Sequence, residues 1–244
     1  MAEPEKIDSG CWATQASGSW AFSAQFFILS WPSGSGKTTF LQSCARHFRA
    51  NGLRVGGVLA PLDPAGRRQL QLVSSGEVLE FQMNDGKPGD GSGQPASASG
   101  DGVAVGNFLF APGAFVAARE ELRRLRGADR GIAAAPADWV LIDEVGPLEM
   151  RGEGLEPALG ELLRAAAAGD LGPPQSRFLL VARHGLREAV VKTYGLDGTG
   201  QESDAEEVFP GFGGPDARAA AVVDLGLEDR DELIERLAKL PPLL

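Results

Sequence analysis

The chain is 244 residues long and 43% hydrophobic, which supplies the core of one large α/β domain or two small ones and excludes a chain disordered throughout. Its formal charge of −10 opposes non-specific attachment to nucleic acid or an anionic membrane, since a binder of phosphate backbones carries a basic face, and no stretch approaches the roughly 20 apolar residues of a membrane helix. The two cysteines, Cys11 and Cys44, lie far apart without metal or redox spacing, and the start Met1-Ala2-Glu3-Pro4-Glu5 lacks a secretory pattern, so a reducing, cytoplasmic setting is expected.

Residues 1–24 mix Gly, Ser and Ala with Trp12, Trp20 and Phe22 without a period and read as a flexible leader. Gln25-Phe26-Phe27-Ile28-Leu29 suits a strand buried on both faces. From Lys37 to Ala50 the residues Phe40, Leu41, Cys44, Ala45 and Phe48 fall at helical spacing, and Asn51-Gly52 supplies a left-handed stop. Residues 54–62 and 68–83 give two or three strands of a hairpin-like excursion, broken by Asp63-Pro64-Ala65-Gly66 and Ser74-Ser75-Gly76. Residues 84–102 hold too little apolar surface to offset the entropy of ordering and read as a flexible insertion. A helix over 114–126 follows, its Arg119, Arg123, Arg124 and Arg126 read as a solvated face.

Trp139-Val140-Leu141-Ile142 is the next buried strand, 156–168 a helix, Phe178 to Ala182 a strand, and 186–194 a helix. A second polar, Gly-rich insertion spans 195–218, ahead of a short strand near Val222-Val223 and a terminal helix over 229–240. Strands alternating with helices predict an α/β fold, a three-layer sandwich with a largely parallel central sheet, running from 25 to 244.

The chemistry is concentrated in two places. Trp31-Pro32-Ser33-Gly34-Ser35-Gly36-Lys37-Thr38 matches the phosphate loop G-x-x-x-x-G-K-[ST] except at its first glycine. Between a strand and a helix, such a loop wraps phosphates with its backbone N–H groups, aided by the positive helix end. Pro32, Ser33, Gly34, Ser35, Gly36, Lys37, Thr38 and Thr39 are therefore the candidate nucleotide-binding residues. Lys37 reaches the β- and γ-phosphates, and the Thr38 hydroxyl is a ligand for Mg2+. Trp31 either crowds the nucleotide or turns its indole outward; the outward reading is adopted, because the rest of the motif keeps every residue the cradle uses.

The second place is Asp143-Glu144, after four apolar residues. A buried strand delivers its terminal carboxylates to the sheet edge where the phosphate loop opens, so Asp143 is a candidate to hold the metal through water and Glu144 to polarise the attacking water. Ile142-Asp143-Glu144-Val145-Gly146-Pro147-Leu148-Glu149-Met150 resembles the I-D-E-[IV]-G-x-[ML]-E stretch of the small P-loop nucleoside-triphosphatases whose vertebrate members are called cancer-related nucleoside-triphosphatase. Gly56-Gly57-Val58-Leu59-Ala60, Gly66-Arg67, Ser75-Gly76-Glu77 and Asn107-Phe108 add weaker likeness, with a faint echo at Asp229-Arg230-Asp231-Glu232-Leu233. The resemblance implies a P-loop NTPase fold and magnesium-dependent hydrolysis of ATP, GTP and other triphosphates to diphosphate and phosphate.

Other charged positions carry weaker signals. Glu149, Arg151 and the pair Arg183-His184 fall near the same edge, where an arginine would stabilise transition-state charge, although surface pairing is the simpler reading of each. His47 reads as a solvent or packing residue, and the run Glu202, Asp204, Glu206, Glu207 lacks calcium-loop spacing. No Asn-Lys-x-Asp guanine reader occurs. Two alternatives to hydrolysis stand beside it: a P-loop kinase acting on a small molecule, and a nucleotide-binding regulatory module with little turnover.

Overall fold

The computed structural model describes residues 25–32, 34–83, 102–105, 108–127, 137–171, 175–183, 185–196, 222–224, 230–241 and 243. The leader over 1–24, nearly all of both predicted insertions, Ser33, Asn107, His184 and the acidic run at 202–207 lie outside them.

The chain begins with β1 (Phe26–Leu29), α1 (Lys37–Ala50), β2 (Val55–Leu59), β3 (Gln69–Leu72) and β4 (Val78–Glu80). Next come β5 (Val103–Val105), β6 (Phe108–Phe110), α2 (Pro112–Arg126), β7 (Trp139–Val145) and a 3-10 turn at Glu149–Arg151. The remaining elements are α3 (Ala158–Ala167), β8 (Arg177–Ala182), α4 (Arg187–Tyr194), β9 (Val222–Asp224) and α5 (Arg230–Ala238). Among the described residues the main sheet has seven strands in the order β4-β3-β2-β7-β8-β1-β9. Strands β2, β7, β8, β1 and β9 run parallel, and β3 and β4 extend that edge antiparallel.

Burial on both faces explains the unbroken apolar strands. Phe26 and Ile28 of β1, Val140 and Ile142 of β7, and Phe178 and Leu180 of β8 pack on one side with α2, α3 and α4. Their neighbours Phe27, Leu29, Trp139, Leu141, Leu179 and Val181 pack on the other side with Phe40, Leu41, Cys44 and Phe48 of α1 and Leu233, Ile234 and Leu237 of α5. This is the predicted three-layer α/β sandwich with a largely parallel central sheet.

Three sequence expectations change. Residues 55–59 do more than join a hairpin excursion: β2 pairs antiparallel with β3 on one side and in parallel with β7 on the other, which places it inside the central sheet, with β3 and β4 beyond it. The strand tolerates Gly57 because a Cβ there would stand 2.0 Å from the Leu141 carbonyl oxygen, so close backbone approach demands glycine. Strands β5 and β6 pair as a separate two-stranded sheet, and the sequence pattern gave no signal for it. The arginine face of α2 is paired as well as solvated: Arg119 donates to the Gly154 carbonyl at 2.7 Å, Arg126 bridges to Glu161 at 2.7 Å and Arg124 to Glu121 at 3.2 Å.

Candidate functional site

Between β1 and α1 the backbone turns through Gly34 and Gly36, at φ 75° and 83°, a region that excludes most side chains. Gly36 is also the N-cap of α1; no side chain caps the helix, and its first turn contains no acidic residue. The free N–H groups and positive helix end therefore face the loop without an internal counter-charge. Lys37 Nζ donates to the carbonyls of Trp31 at 2.9 Å and Pro32 at 3.0 Å, which folds its ammonium across the loop. The Ser35 hydroxyl is buried there without a hydrogen-bond partner among the described residues. Pro32 and Thr39 are exposed, and Thr38 is half-buried.

The β7 carboxylates lie where the parallel pairing with β8 loses its register, between Ile142 and Val145. Asp143 is buried, at 7% exposure. It accepts a hydrogen bond at 3.2 Å from the Ala60 N–H at the end of β2, and the Thr38 hydroxyl acts on it from the first turn of α1. Burial pushes its carboxyl above the ordinary carboxylate range, against the Thr38 hydroxyl, the Ala60 N–H and the charges of Arg68 and Lys37. Glu144 follows directly and is half-buried. Thus Lys37, Thr38, Asp143 and Glu144 come to one edge of the sheet from strands that are not neighbours, since β8 lies between β1 and β7.

The Trp31 indole is packed rather than exposed: it is 3% exposed, lies in the core with α1 and α5, and sets its edge against Phe40 at 5.3 Å between ring centres. Glu149 is likewise not a surface-pairing residue. It is buried, with Oε2 accepting from the Gly146 N–H at 2.9 Å and Oε1 from the Leu155 N–H at 3.2 Å, so it braces the loop after β7. Burial raises its carboxyl too. Arg151 is exposed and pairs with Glu153 at 3.1 Å, and Arg183 is exposed.

Two arginines near the site escaped the sequence reading. Arg67 and Arg68 adjoin each other but differ in use. Arg67 is spent on Asp63, bridging it at 2.8 Å, whereas the charge of Arg68 reaches Asp143. Arg68 is brought there by its bridge to Leu62, two residues past Ala60. Arg230, at the head of α5, donates from Nη2 to the Ser35 carbonyl at 2.5 Å and lies 5.0 Å from the Trp31 ring centre. The weaker likeness included Arg67 but not Arg68, and only the faint terminal echo included Arg230.

No protein-family model and no curated protein matches the chain. Among solved structures, the chain is similar to the crystal structure of THEP1 from the hyperthermophile Aquifex aeolicus. The identity is 17% over 87% of this chain and 96% of that one, with a TM-score of 0.47.

Proposed function

We propose that the chain is a magnesium-dependent nucleoside triphosphatase that releases phosphate from ATP, GTP or related triphosphates. The observation that carries the reading is that the parallel sheet brings Thr38, in the first turn of α1, and the buried carboxylate of Asp143, near the end of β7, to one edge. A hydroxyl and a carboxylate side by side are hard oxygen donors of the kind Mg2+ takes, and the buried negative charge of Asp143 is best stabilised by a cation. Among the described residues no group of three or more His, Cys, Asp or Glu forms a cage. A cation held by Thr38 and Asp143 would complete its shell with phosphate oxygens and water, the usual arrangement for Mg2+ beside a nucleotide. When bound it neutralises charge on the phosphates.

The chain's own groups supply the rest. Loop amides and the α1 terminus receive phosphate oxygens, and Lys37 needs only to exchange its hold on two carbonyls for the β- and γ-phosphates. Glu144, one residue past the metal carboxylate, orients and polarises the attacking water. The charge of Arg68 acts on Asp143, and Arg183 is held at the end of β7 by the Val145 carbonyl, so these two are the candidates to offset charge developing on the transferred group. The binding-only alternative drew on a Trp31 that crowds the loop, and the indole's place in the core removes that motive.

The test is phosphate release from a panel of triphosphates with magnesium, with and without small-molecule acceptors, for wild type and Glu144→Gln. Release without acceptor, slowed about a hundred-fold in Glu144→Gln, is expected for the loss of a general base. Release that requires an acceptor would establish the kinase alternative instead, and tight binding without release the regulatory one.

A further inference from the structure

Arg230 belongs to no part of the phosphate-loop motif, yet it lies against the loop's outer wall. Its Nη2 donates to the Ser35 carbonyl at 2.5 Å, its guanidinium stands over the Trp31 ring at 5.0 Å, and its Nη1 would be 3.0 Å from a Cβ placed on Gly36. The fork thus fills the space between Trp31 and Gly36. Behind it, α5 is anchored on α1 through Leu233, Ile234 and Leu237, so the head of the helix is fixed relative to the loop.

We propose that Arg230 is a positioning residue of the phosphate loop and that α5 is therefore part of the unit that holds the polyphosphate. The physical reason lies in one peptide plane. In a trans peptide the C=O and the following N–H point in opposite directions. Holding the Ser35 carbonyl outward, towards Arg230, turns the Gly36 N–H inward, towards the concave side where a phosphate oxygen is received. Trp31, which replaces the motif's first glycine, gives the guanidinium an aromatic face to rest on. The departure from the motif and the arginine from the far end of the chain form one device. Arg230 also adds a second positive charge beside Lys37 at a site for a diphosphate or triphosphate chain.

The ligand part of this inference rests on the triphosphatase reading; the loop-positioning part does not. Both are read by hydrogen exchange over the loop in nucleotide-free protein and by calorimetric titration with Mg·ADP, for wild type, Arg230→Ala, Arg230→Lys and Ile234→Val. Arg230→Ala is expected to speed exchange of the Gly34 to Thr38 amides and to weaken Mg·ADP by about ten-fold or more. Arg230→Lys, which keeps the charge and one donor, recovers part of both. Ile234→Val loosens the packing of α5 without touching the loop and leaves loop exchange and affinity near wild type. Loop exchange unchanged in Arg230→Ala, or moved as far by Ile234→Val, would overturn the positioning role. If wild type binds no Mg·ADP, the phosphate reading and the ligand part fail together, and loop exchange still decides what Arg230 does.

Discussion

Trp31 carries the most information at the scale of single residues, because a bulky indole stands where the phosphate-loop pattern has glycine. The burial of its ring against Phe40 turns a defect of the motif into an anchor for the loop's first residue. Its backbone still serves the site, since the Trp31 carbonyl accepts from Lys37. Trp31→Gly is expected to cost about 3–5 kcal/mol, the range for removing a large buried aromatic, with up to about 1 kcal/mol more from the flexibility of glycine. Urea unfolding reads that loss. Nucleotide affinity should fall or hold in the folded variant; a ten-fold gain would mean that the indole obstructs the site after all.

The turn after β7 is the element that fixes the acidic edge. Glu149 holds it by accepting the Gly146 and Leu155 amides, both buried. Glu149→Ala leaves those donors without an acceptor, at about 1–3 kcal/mol each. The exposed neighbour Glu153, paired with Arg151, should cost less than about 1 kcal/mol when changed to Ala. Equal unfolding midpoints for the two variants would remove Glu149 from this role.

The same elements show what the sequence discloses. The β7 strand and its carboxylates were legible because a run of apolar residues ending in Asp143-Glu144 is a local pattern. Glu149 was misread because nothing local distinguishes a carboxylate that accepts two backbone amides from one that faces water. Strand β2 was legible within 54–62, but its parallel pairing with the distant β7, which Gly57 lets approach, leaves no local pattern. Strands β5 and β6, three residues each, are too short to show a period. The contact of Arg230 with Ser35 joins residues 195 positions apart, and no spacing rule reaches that far.

For the molecule as a whole, the decisive feature is that β8 separates β1 from β7 while all three run parallel. Parallel strands bring their carboxyl ends to one edge, so the loop after β1 and the acids of β7 meet there without adjacent pairing. The helices divide as α1 and α5 on one face and α2 to α4 on the other, which puts the loop, Trp31 and Arg230 on a single, well-packed side. Among the described residues no helix is long and apolar enough to cross a membrane.

A ligand that binds only the folded chain stabilises it by mass action, about 2.7 kcal/mol at a hundred times its dissociation constant. The central claim, that Lys37, Thr38 and Asp143 hold a magnesium nucleotide, is tested most directly by calorimetric titration of Mg·ADP into wild type and Lys37→Ala, with melting curves of both proteins alone. The account predicts saturable binding in wild type that requires magnesium, and its loss in a Lys37→Ala variant that melts as wild type does. Equal affinity in the folded variant, or no binding by wild type, would contradict it.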